Sequence, residues 1–274
     1  MGAVAADPCA LIRWLCVDQR ARAQVTAIGI WVHAAKLTGG LGLPYVAVPF
    51  PLSFLNCRLA NDAIFISAEI PELSFQGSWV KMLGLQRVRV RGSVFLRNRF
   101  RADGEVQLQD AVIAGFLDCS AGTFVNPPRK AVSSSGATLN AERVVVNGHL
   151  LLNSGFHSEG AVILANAQIG GNLYCGGGTF LNPPQKELSG SGTALSADVI
   201  TLKGNLFLGS GFHSEGAVSL SNAQIGRSLD CSGGTFLNPP QKELSGSGTA
   251  LGADTIIVKG NVLLSDGFRA EGRV

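Results

Sequence analysis

Six arginines fall within fifteen residues: Arg87, Arg89, Arg91, Arg97, Arg99 and Arg101. Arg87, Arg89 and Arg91 alternate with Val88 and Val90, the spacing that puts three cations on one face of a strand. Cations set this way suit phosphates, an anionic membrane surface or an acidic partner. The plainer reading is a solvated face that keeps an apolar chain in solution. No aromatic residues interleave as a base-stacking platform would require, so nucleic acid is not the expected partner. His157 and His213 each precede an acid by two residues, Glu159 and Glu215, and Arg101 and Arg269 stand at the matching positions beside Asp103 and Glu271. A His–Glu pair can move protons, but the exchange of His for Arg points to a corner ion pair. Single acids recur at Glu142, Asp198 and Asp254, with Lys203 and Lys259 five residues after the last two. Carboxylates spread one per repeat do not make the convergent pair that glycoside cleavage needs.

Cys9, Cys16, Cys57, Cys119, Cys175 and Cys231 form no CxxC pair, so neither a zinc ribbon nor a thioredoxin-like site is expected. The last three read as small core residues spaced too far apart for a disulfide or a shared metal. The chain reads as having no cofactor, no metal and no enzymatic activity.

These positions recur because the chain is a repeat. NPP occurs at 126–128, 182–184 and 238–240, and Phe100, Phe156, Phe212 and Phe268 keep the same spacing of 56. The segments 181–195 and 237–251 are identical. Within a repeat, apolar residues come as i,i+2 pairs: Leu195/Ala197, Ile200/Leu202, Leu206/Leu208, then Val218/Leu220, Ala223/Ile225, Leu229/Cys231. Each pair is one short strand with both side chains inward. The second half of the repeat follows the first by 23 residues, and the next copy begins 33 later. Four apolar stations per turn predict an all-β, four-sided parallel β-helix, with Gly, Asn and Ser at the corners. Right-handedness is expected from related architectures. The 33-residue coil carries an inserted loop, which makes Asn126, Pro127, Pro128, Asn182, Pro183, Pro184, Asn238, Pro239 and Pro240 candidate interaction residues stacked along one edge.

Upstream, Ile30/Val32, Ala35/Leu37, Leu41/Leu43 and Val46/Val48 make one coil; Leu52/Phe54, Cys57/Leu59, Ile64/Ile66 and Ala68/Ile70 make another. Residues 71–82 read as irregular, with Trp79 lacking a counterpart, and the strict pattern runs from about residue 83. Nine to ten coils are expected over 29–274. Asp7-Pro8 predicts a helix start within 1–28. That helix is expected to cover the N-terminal edge through Leu11, Trp14, Leu15 and Val25, with Arg13, Arg20 and Gln24 on its other side. Val274 aligns with Val218, so the last coil is expected to stack head to tail on another copy or to mark a truncation.

Composition agrees with this architecture. The chain has 274 residues, 46% apolar and 15% charged, with 35 glycines, which excludes a coiled coil or a disordered chain. Residues 1–101 carry a balance of +7 and the remainder −4. Neither a secretory signal nor a spanning helix is read, so a cytoplasmic protein is expected.

The units GAVILANAQIGGNLYCGGGTF (160–180) and GSVFLRNRFRADGEVQL (92–108) resemble a bacterial β-helix repeat family with runs of the form GxVxLxxAxIGGxLxCxGGTF. The coil is similar to the four-sided solenoid of pentapeptide-repeat proteins, without their strict five-residue period. The resemblance covers about 30–274 and implies a fold and no assigned activity. The expected role is a non-catalytic scaffold acting by self-association or protein–protein contact. The second reading is an anion-binding module using the arginines, and the third a carbohydrate-active β-helix enzyme, which would need a carboxylate-lined cleft.

Overall fold

A computed structural model describes residues 7–127, 136–186, 188, 192–242, 244 and 247–274. Among them the chain winds into four parallel sheets of ten, ten, nine and eight strands. Each coil contributes one strand to each face in turn. One coil, for example, gives Leu173–Tyr174 to the first face, Thr179–Leu181 to the second, Thr193–Ser196 to the third and Thr201–Leu202 to the fourth. Strands pair with the coils before and after: Leu173 lies between Leu150 and Leu206, and Leu195 between Val162 and Val218. These offsets are the 23 and 33 read from the sequence. Ten coils at roughly 4.8 Å each make a rod about 45 Å long.

The inside is solid. One phenylalanine per coil stacks along the axis, in the order Phe100, Phe124, Phe156, Phe180, Phe212, Phe236 and Phe268, with centroids 5.0–5.5 Å apart. The ring alternates between two stations. Phe156 is level with Gly178, and Ser158 is level with Phe180. A Phe-x-Ser coil therefore sits on a Gly-x-Phe coil, and a large residue always meets a small one. A Cβ on Gly178 would lie 2.9 Å from the Phe180 ring and 2.6 Å from the Leu152 carbonyl oxygen. This alternation is why the sequence repeats every two coils.

Two corners per coil need a residue in the left-handed region. Asn56, Ser154 and Asn166 suit that conformation, and it is also taken by Arg87, Arg99, Arg143 and Val199. At another corner, side chains of one coil cap backbone N–H groups of the next. Asn172 Oδ1 accepts from Asn205 N at 2.8 Å, and Asn205 Oδ1 accepts from Ser228 N at 3.0 Å.

Three sequence expectations change. Residues 71–82 form a regular stretch with Leu73, Phe75, Ser78 and Val80 fully buried. Trp79 has a place in the second-face column, paired with Arg58 and Arg101. The second coil turns Ala63 and Phe65 inward, and Ile64 and Ile66 are only half-buried.

The N-terminal helix α1 (Pro8–Val17) is capped by Asp7, which accepts from Cys9 N at 2.9 Å. A short α2 (Gln19–Arg22) follows, capped by Asp18. Helix α1 packs on the first coil at Leu41–Gly42 through Cys9, Ile12 and Cys16. That is a different face from the one expected: Leu11 and Trp14 are each 53% exposed. The small cysteines let the helix lie close to the sheet, and Cys9 Sγ reaches Gly39 O at 3.3 Å. No helix among the described residues is long and apolar enough to cross a membrane.

Candidate functional site

With the interior filled, the outward side chains of the described strands stand in columns, one residue per coil. The six arginines lie in successive strands and corners, so the winding spreads them around the rod. Arg89 is exposed on the fourth face, between Glu69 and Val112. Arg87 occupies the preceding left-handed corner, and its Nε donates to Ser67 Oγ at 3.1 Å. Arg91 joins Arg22 and Glu69 around a depression of about 430 Å³.

The other three arginines stand elsewhere. Arg97 is half-buried, ion-paired with Asp118 at 2.8 Å and held 4.6 Å from the Phe95 ring. Arg99 is exposed at a left-handed corner. Arg101 lies on the second face and pairs with Asp103 at 2.7 Å. Only Arg87, Arg89 and Arg91 share a side. Nearby, hydrogen bonding from Arg143, with a smaller pull from Arg87, holds the Asp110 carboxyl below its ordinary range.

His157 meets Glu159 at 3.2 Å and His213 meets Glu215 at 3.5 Å, all on the second face. A threonine coil separates the two pairs, with Thr179 level between the histidines. Asp198 is engaged by Ser219 Oγ and by Ser221 N at 3.0 Å, and Glu142 pairs with Arg143. Among the described residues no group of three or more His, Cys, Asp and Glu side chains is placed to hold a metal ion. All six cysteines are buried thiols. Burial pushes Cys16 and Cys231 up to about 12, and Cys175 higher still.

The inserted loops leave the same corner in alternate coils, between the second and third faces. Their asparagines hold the loop bases: the side-chain amides of Asn126, Asn182 and Asn238 donate to the carbonyls of Ala137, Thr193 and Thr249 at 2.7–2.8 Å. Asn182 and Asn238 are buried, so they position the loops and present no contact surface. Pro127 and Pro183 are half-buried, Pro184 is buried, Pro239 and Pro240 are exposed, and Pro128 lies outside the described residues.

The first face carries a feature the sequence reading passed over. Phe116, His149, Tyr174 and Phe207 form an outward run on four successive coils. Phe116 and His149 stack at 5.4 Å, His149 meets Tyr174 edge-on at 5.6 Å, and Tyr174 and Phe207 lie 5.0 Å apart within 7° of parallel. Beside the last two rings, Gly176 and Gly209 leave a trough of about 260 Å³, closed by Asn153, Ser210 and Asp230. The signal was present in the repeat: the residue between the inward pairs Leu173/Cys175, Leu206/Leu208 and Leu229/Cys231 is Tyr174, Phe207 or Asp230.

No family model, curated protein or solved structure matches the chain.

Proposed function

We propose that the protein is a non-catalytic scaffold, a stiff rod that works by binding copies of itself or another protein. The observation that supports this is the filled core under fixed outward columns, a build that displays side chains at constant spacing and direction. The coil motifs support placing it with pentapeptide-repeat-like solenoids. Six unpaired cysteines suit a reducing, cytoplasmic setting. Sedimentation velocity and electron microscopy across a concentration series test the self-association arm. Ordered oligomers or filaments are expected; separate rods at every concentration would rule that arm out.

A second reading, an anion-binding face, is favoured by Arg87, Arg89 and Arg91 sharing one side, with Lys203 and Lys259 flanking Gly226 farther along it. Charge reversal at the three arginines is then expected to abolish binding to heparin or acidic vesicles. Unchanged binding would sink that reading.

A further inference from the structure

We propose that the trough beside Tyr174 and Phe207 binds an extended oligosaccharide whose chain runs along the rod axis. The two rings make an apolar wall, near-parallel and 5.0 Å apart. Gly176 and Gly209 line the floor, where a Cβ would lie 3.2 Å from Gly209 O and 2.4 Å from Ser232 O respectively. Its polar edge offers both an acceptor and a donor, Asp230 and Tyr174. Asp230 Oδ1 accepts from Ser232 N at 2.9 Å, and its other oxygen has no partner among the described residues. Tyr174 Oη accepts from Asn172 Nδ2 at 2.6 Å, so its own proton is left to donate.

An apolar wall edged by an open carboxylate oxygen and a free hydroxyl proton calls for a ligand with a C–H face and a rim of hydroxyls that both donate and accept, which describes a pyranose ring. The aromatic run continues toward His149 and Phe116, one group per coil. Each coil advances about 4.8 Å, close to the length of one pyranose unit in an extended chain. A linear saccharide along the axis would therefore meet Tyr174 and Phe207 with successive residues, while His149 and Phe116 flank it one station to the side.

The inference goes beyond the scaffold reading and takes from it only that the ligand is held and not cleaved. Isothermal titration of the full chain with cellohexaose, chitohexaose and mannohexaose tests it, with saturation-transfer NMR on the same samples. Saturable binding of at least one hexasaccharide is expected. Tyr174→Ala and Phe207→Ala should each weaken it at least tenfold, and Asp230→Asn, which keeps the shape, severalfold. Gln168→Ala, on the fourth face, should leave it unchanged. Circular dichroism checks that each variant is folded. No saturable binding of any hexasaccharide, binding that ignores both ring substitutions, or binding of a polyproline decapeptide alone overturns the inference. Chromatography of the recovered saccharide separates the two readings. An intact chain keeps both, and a shortened chain ends the non-catalytic reading while binding stands.

Discussion

Ser158 and Ser214 are fully buried on the second face, and neither hydroxyl has a hydrogen-bond partner. Each is the small residue opposite a phenylalanine of the next coil. A buried hydroxyl with no partner costs about 1–3 kcal/mol. Ser158→Ala is therefore expected to stabilise the rod by about 1 kcal/mol, read as a higher urea midpoint; a lower midpoint would mean the hydroxyl has a partner. Ser158→Phe should do the reverse, because Phe180 already holds that level. The cysteines give a chemical test at the same scale. Reactivity needs thiolate and access, and Cys16, Cys175 and Cys231 are buried with raised pKa. Iodoacetamide at neutral pH is expected to label none of these three in the folded chain, and all of them in urea. Peptide mass mapping checks this, and fast labelling of Cys175 before unfolding would contradict the ring-stack core. The legibility of single residues followed their contrast with water. Inward Leu, Val and Cys were readable from spacing. Ser78 was not, because its polarity is hidden by hydrogen bonds to Phe54 O and from Cys57 N, both 2.8 Å.

At the scale of the element, corners carry the strain. Val199 is held at φ 57° and is 47% exposed. A left-handed residue with a Cβ costs roughly 1–2 kcal/mol, and a β-branched one more than Asn. Asn166 and Asn222 occupy the same corner one coil away on either side. Val199→Asn is expected to stabilise by about 1 kcal/mol in urea denaturation, and no gain would mean the Val199 side chain has a packing role. Arg87 sits at such a corner too, so Arg87→Asn separates charge from strain: anion binding falls while stability rises. Helix α1 shows how a pattern can mislead at this scale. Trp14 and Leu11 are more apolar than cysteine, so they were expected to pack. The sheet instead takes Cys9, Ile12 and Cys16, spaced at three and four residues, because small side chains allow a closer approach. The aromatic run was missed for a different reason: it occupies outward stations, where residue type varies from coil to coil, so only the position between the inward pairs, and no repeated residue, marks it.

For the whole molecule, contacts pass only between neighbouring coils, so the rod should behave as a one-dimensional array. Removing coils in phase ought to shorten it without disturbing what remains. Excision of residues 171–226 joins Gly170 to Arg227 and removes one 56-residue repeat. The Phe-x-Ser coil of Phe156 then meets the Gly-x-Phe coil of Phe236, the same large-to-small fit as before. Small-angle scattering is expected to show a folded rod shorter by two coils, about 10 Å. Because Tyr174 and Phe207 leave with the excised segment, this variant should also lose saccharide binding. Excision of residues 140–162 removes a single 23-residue coil instead. Strand register survives, since Leu139 is level with Val162, but two Gly-x-Phe coils become neighbours. Rings at one station then crowd while the other station is left unfilled, a packing fault expected to cost several kcal/mol. If the core is a jigsaw of alternating coils, the longer deletion is the milder one. Equal urea midpoints for the two deletions would mean that strand pairing alone sets the fold, and that the two-coil period has another cause.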